Sequence, residues 1–158
     1  MKPTVYIETT IVSYLTAWPS RDLIRAAQQR ITLDWWKSEK DRFDVLTSEL
    51  VILESSAGDA EAARVRLEVL SKLRLAEAND DAEKLASELL TTGAVPAVAA
   101  RDALHVGIAA ANGIDYLLTW NCRHLANAAL RSKIDQVCGG VGFRAPIIAT
   151  PEELFESK

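Results

Sequence analysis

The stretch RDALHVGIAAANGIDYLLTWNCRHLAN, residues 101–127, decides the fold. It joins an alanine-rich helical pattern to a short apolar run. The helix is expected over about Ala97 to Asn112, with Pro96 before it and Gly113 after it. Proline is tolerated at the start of a helix, and glycine readily takes the left-handed conformation that ends one. The alanines suggest close packing of this helix against a sheet. Tyr116-Leu117-Leu118-Thr119-Trp120 then reads as a strand. An apolar run without alternation is covered on both faces, as in a parallel sheet. Asn121 lies just past its end.

The same alternation extends outward in both directions. Thr4 to Glu8 is a β-branched and aromatic first strand, followed by Thr9 and Thr10 as capping residues for a helix through Ile11, Val12, Tyr14 and Leu15. A second helix begins near Ser20, with Ile24, Ala27, Ile31 and Trp35 as its apolar face. Trp36 must point elsewhere, toward a partner or into a half-buried position. Phe43 to Thr47 is the second strand, and Ser48 caps a helix carrying Leu50, Val51, Leu53 and Glu54. Asp59 to Lys72 is a helix with Ala63, Leu67 and Leu70 inward. Arg74 to Ala78 is a short strand. Asp80 and Glu83 form a capping box for a helix to about Leu90. A helix over Leu125 to Val137 leads to the longest irregular region, Gly139 to Arg144. Pro146 to Ala149 is the last strand, and Thr150 with Glu153 caps a final turn. Strands alternating with helices give an α/β chain, a parallel sheet with crossover helices.

Composition sets the class. The 158 residues suit one domain, 1–158, with its own core. No run approaches the ~20 apolar residues of a membrane helix, and MKPTVYIE lacks the features of a signal peptide. Two cysteines, Cys122 and Cys138, are too few for a disulfide framework and fit a reducing, cytoplasmic setting. The net charge of -4 argues against a generic binder of nucleic-acid phosphates. Cys122, His124 and Cys138 match no common zinc spacing and lack a fourth ligand. Gly139-Gly140-Val141-Gly142 precedes a strand and lacks the Lys-Ser/Thr of a phosphate loop.

In open parallel sheets, ligands bind beyond the carboxyl ends of the strands. Glu8 ends the first strand, and Asn121 follows the strand at Tyr116. Glu54 and Asp102 sit on helices that start near the same edge. Three carboxylates and an amide therefore converge. Hard oxygen donors of this kind suit Mg²⁺ or Mn²⁺. Such an ion activates water and neutralises charge developing on a phosphodiester. Taken singly, each acid also has a plain reading as a solvated surface residue. Asp102 also suits a helix N-terminus through the dipole, with His105 three residues on. Asp115 reads as a turn residue before the strand, and Glu49 as a spare acid that points away from Glu54.

YIETTIVSYL at 6–15, TSELVILESSAG at 47–58, residues 101–127 and PEEL at 151–154 together resemble the PIN domain, and within it the VapC-type toxins of toxin–antitoxin pairs. The resemblance spans nearly the whole chain. It implies a three-layer α/β/α fold with a central parallel sheet, and a metal-dependent endoribonuclease. The family's acidic quartet falls on Glu8, Glu54, Asp102 and Asn121. Glu8, Glu54 and Asp102 would hold Mg²⁺ or Mn²⁺, and Asn121 would orient a water. Thr10 and Thr119 would support these groups, and Arg123 and His124 would meet the RNA phosphates. Two positions depart from the family's commonest pattern. Glu8 is longer than the usual aspartate, and Asn121 lacks a charge.

The resemblance also implies partners: an RNA substrate, a small antitoxin protein, and a second copy of the chain in a homodimer. The departures at Glu8 and Asn121 keep an alternative open, a catalytically impaired PIN-like module that binds RNA or a protein without cleavage. A metal-dependent phosphatase or DNA nuclease on the same scaffold is a further rival.

Overall fold

The computed structural model describes residues 1–156. Five strands, β1 (Thr4–Ile7), β2 (Asp44–Ser48), β3 (Arg74–Ala76), β4 (Tyr116–Leu118) and β5 (Ile147–Ala149), form a parallel sheet in the order β3-β2-β1-β4-β5. Among the described residues there are seven α-helices: α1 (Thr9–Thr16), α2 (Leu23–Ser38), α3 (Glu49–Ser55), α4 (Ala60–Leu70), α5 (Asp80–Thr91), α6 (Ala100–Ala111) and α7 (Ala128–Gly140). The chain steps outward from β1 to β3, then crosses back over the sheet to β4. Helices α1 to α4 pack among themselves, and α5 packs on α6 and α7. Right-handed crossovers put these groups on opposite faces, which makes a three-layer α/β/α arrangement.

Register places the site. Tyr6 lies between Leu46 of β2 and Leu117 of β4, and Ile7 is beside Leu118. The Glu8 amide continues the ladder by donating to the Leu118 carbonyl at 3.1 Å. Glu8 and Thr119 therefore leave the sheet side by side, at the point where the strand order reverses. The strands are covered on both faces: Val5, Tyr6, Ile7, Leu117 and Leu118 are fully buried. Burying each large side chain contributes about 1.5–3 kcal/mol, so the β1–β4 junction is a stiff platform.

Several expected boundaries shift, each for a local reason. Glu8 itself is the cap of α1, accepting from the Thr10 amide, so the helix starts at Thr9. Asn79, not Asp80, caps α5 by accepting from the Ala82 amide, and the expected capping box is absent there. The box at Thr150 and Glu153 is present. Helix α7 starts at Ala128, capped by Asn127, and runs through Gly139 and Gly140. The longest irregular stretch among the described residues is consequently 119–127, beside the site, and not 139–144.

The apolar face of α2 differs from expectation. Ile24 is 73% exposed, and Ala27 is exposed too. Gln29, Thr32 and Trp35 are the buried positions. Their polar groups have partners: Gln29 binds the Ser20 amide and the Trp18 carbonyl, and Thr32 accepts from Trp120 Nε1 at 2.7 Å. Trp36 is half-buried, with the Lys40 ammonium 4.9 Å from its ring centre. The alanines of α6 serve a helix contact as well as the sheet. A Cβ on Gly107 would lie 2.3 Å from the Ala82 carbonyl oxygen, so α5 and α6 touch backbone to backbone there. Asp115 holds the start of β1: its Oδ2 accepts from the Thr4 amide at 2.9 Å, and its Oδ1 from Arg144.

Candidate metal centre

Glu8 is 5% exposed, and one of its oxygens carries three hydrogen bonds. Oε1 accepts from the Thr10 amide at 3.1 Å, the Thr10 hydroxyl at 2.6 Å and the Thr119 hydroxyl at 2.7 Å. Each hydroxyl in turn accepts a backbone amide from the loop after β4, Trp120 to Thr10 at 2.8 Å and Asn121 to Thr119 at 2.9 Å. The hydroxyl protons are thereby directed at Glu8. Oε2 has no hydrogen-bond partner, and no cation lies within ion-pair distance of Glu8, among the described residues.

Glu54 approaches from the second turn of α3, whose start is fixed by the Ser48 cap. Its Oε1 accepts from the Thr9 hydroxyl at 2.6 Å and meets His105 Nε2 at 2.7 Å. Arg101 is 3.9 Å from Oε2. Burial alone would raise the Glu54 pKa, but the His105 contact, the Thr9 hydroxyl and the Arg101 charge outweigh it and hold the carboxyl below the usual range. Glu54 is ionised at neutral pH.

Asp102 sits in the first turn of α6, where a negative charge suits the helix dipole. Its Oδ2 pairs with His124 Nδ1 at 3.1 Å. Asn121 shapes this contact. Its side-chain oxygen accepts from the His124 amide at 3.0 Å, so it folds the loop that presents His124 to Asp102. Arg123 is exposed on the same loop.

Among the described residues, one group of potential ligands has atoms all within 4.8 Å of one another: Glu8, Glu54 and His105. Two of the expected residues thus meet, and Asp102 stands outside that inner group, one helical turn from His105. Thr10 and Thr119 both hold Glu8. Cys138 is buried and Cys122 exposed, and neither joins the cluster. Glu49 lines a separate cavity with Leu75 and Glu77.

Tyr6 and His105 have no part in the site expected from the sequence, and Thr9 and Ser48 are expected there only as helix caps. One signal was present: His105 is the sole polar residue between Asp102 and Asn112. It is completely buried.

The donor set fits a hard divalent cation. Isolated buried carboxylates are costly unless a counter-charge or metal compensates them. Glu8 has hydrogen bonds but no counter-charge, and Glu8, Glu54 and Asp102 are each anchored through one oxygen while the other accepts no hydrogen bond, among the described residues.

A chain from the crystal structure of VapBC2 from Rickettsia felis bound to a DNA fragment from their promoter is similar in fold, with a TM-score of 0.54 at 16% sequence identity. The match covers 93% of this chain and 98% of that chain. The fold is PIN-like. No family model matches the sequence, and no curated protein matches it. In the PIN-like fold described here, the acidic cluster lies at the strand-order reversal, between β1 and β4. Among the described residues, no helix is long and apolar enough to cross a membrane.

Proposed function

We propose that this chain is a divalent-metal-dependent endoribonuclease, the toxin of a VapBC-type toxin–antitoxin pair. One observation carries the reading: Glu8, buried and without a counter-cation among the described residues, has one oxygen fixed by three hydrogen bonds and the other unengaged beside Glu54. Glu8, Glu54 and Asp102 would hold Mg²⁺ or Mn²⁺. The ion would neutralise charge on a scissile phosphodiester and ease deprotonation of water. The rest falls to the chain itself. Thr10 and Thr119 hold Glu8 in one rotamer. Asn121 folds the loop that carries Arg123 and His124. Those two residues and Arg101 lie beside the cluster, where their hydrogen-bond donors would receive an RNA backbone that the net charge of -4 does not otherwise attract.

The likeness to a chain of a toxin–antitoxin complex supports a small antitoxin as partner, in a cytoplasmic, homodimeric protein made of one domain over 1–158. Exposed Trp18 (92%), Leu23 and Ile24 around the α1–α2 turn support a protein contact. The test is cleavage of a mixed RNA pool by the purified chain. Cutting with Mn²⁺ or Mg²⁺ that stops in EDTA supports the reading.

A second reading rests on Asn121. Its carbonyl oxygen is engaged by the His124 amide, and among the described residues no further carboxylate replaces it in the cluster. A PIN-like module that binds RNA or a protein without cleavage would show metal binding but no cutting.

A further inference from the structure

A buried chain of hydrogen bonds runs from α3 across β1 to Glu54. The Val51 amide donates to Ser48 Oγ at 3.3 Å. Ser48 Oγ lies 2.8 Å from the Tyr6 hydroxyl, which lies 2.6 Å from His105 Nδ1. His105 Nε2 then meets Glu54 Oε1 at 2.7 Å. Ser48 and His105 are completely buried, as is Tyr6.

Counting hydrogens orients the chain. Ionised Glu54 can only accept, so His105 Nε2 carries a hydrogen. The Tyr6 hydroxyl has one hydrogen to give and can also accept one. The Ser48 hydroxyl has one acceptor within reach among the described residues, the Tyr6 oxygen. Tyr6 thus accepts from Ser48 and donates to His105 Nδ1. Neither ring nitrogen retains a free lone pair. His105 lies within ligand distance of Glu8 and Glu54, yet it has nothing to offer a cation unless this chain breaks.

Resting on the metal-centre reading above, we propose that His105 is a positioning residue: Tyr6 and Ser48 hold its ring through Nδ1 with the hydrogen on Nε2, and it pins Glu54 Oε1 so that Oε2 faces the cation. Partners that orient metal-binding groups in this way typically change affinity about 10- to 100-fold when removed.

Two measurements on the full chain test this. Two-bond ¹H–¹⁵N correlation spectra of the metal-free protein should show His105 as the Nε2–H tautomer. A Mn²⁺ titration, with pulsed electron paramagnetic resonance, should then show binding without a directly bonded ¹⁴N. His105→Gln keeps a donor for Glu54 and an acceptor for Tyr6, so it should retain most of the Mn²⁺ affinity. His105→Leu should lose about 10- to 100-fold. If His105→Leu fails to fold, Tyr6→Phe serves: it should weaken Mn²⁺ binding and release the second tautomer. Bonded ¹⁴N that disappears in His105→Gln would make His105 a ligand and overturn the proposal. Wild-type affinity in a folded His105→Leu or in Tyr6→Phe would overturn it as well. Mn²⁺ binding with a different tautomer removes the positioning role alone. The expected tautomer without any Mn²⁺ binding removes the metal-centre reading and this role with it.

Discussion

The Thr119 hydroxyl donates to Glu8 Oε1 across 2.7 Å, tying the loop after β4 to the residue that follows β1 and caps α1. Thr119 is completely buried, and its oxygen also accepts the Asn121 amide. Thr119→Val removes both interactions and leaves buried polar groups unpaired, each costing about 1–3 kcal/mol. Urea unfolding in EDTA should show a loss of that order, with Thr119→Ser close to wild type. An unchanged unfolding midpoint in Thr119→Val would mean the contact carries no stability.

Glu8 illustrates the conflict between a site and the fold that holds it. A buried carboxylate with no cation beside it opposes folding in the absence of metal. Glu8→Gln keeps an acceptor for the three donors and removes the charge. In EDTA it should be more stable than wild type by on the order of 1 kcal/mol. With Mn²⁺ at 100 times its Kd the wild type should gain about 2.7 kcal/mol, and the variant nothing. Equal metal-linked stabilisation of both proteins would remove Glu8 from the site.

Gly107 tests the packing of α5 on α6 independently of the site. An added Cβ would sit 2.3 Å from the Ala82 carbonyl oxygen, and backbone cannot swing aside as a side-chain tip can. Gly107→Ala should destabilise by about 1–3 kcal/mol despite the better helix propensity of alanine. Chemical denaturation reads this directly. A more stable Gly107→Ala would show that the two helices can part at little cost.

Asp115 gives a pH signature. The Thr4 amide is the main cause that lowers its pKa from 3.8, helped by the Thr4 hydroxyl and Arg144 against the opposing effect of burial. A depressed carboxylate pKa adds stability above the unfolded value and loses it as pH falls through the folded value. The stability gap between wild type and Asp115→Asn should therefore be widest near neutrality and shrink below pH 3.8. Unfolding midpoints measured on both sides of that pH check the sign. A gap that widened in acid would contradict it.

The strands and several caps were legible in the sequence because local chemistry specifies them. Apolar β-branched runs read correctly, as did the cap at Ser48 and the box at Thr150 and Glu153. Errors arose where tertiary partners decide. Trp35 is compatible with two neighbouring faces of α2. The buried one contains Thr32 and Gln29, polar residues satisfied by Trp120 and by the Trp18–Ser20 turn. Asn121 has a part that its position past β4 does not reveal: its oxygen folds its own loop, with a second lone pair still able to hold a water. His105 was visible as a lone polar residue in an apolar helix. Its connection to Tyr6 spans 99 positions, and only the folded register of β1 beneath α6 reveals it.

The convergence of Glu8, Glu54 and Asp102 on one cation is tested most directly by anomalous diffraction from crystals soaked in Mn²⁺. The expected result is a peak about 2.0–2.3 Å from the open oxygens of Glu8 and Glu54, with Asp102 directly bound or joined through water. A peak elsewhere, or none at Mn²⁺ concentrations that support RNA cleavage, would contradict it.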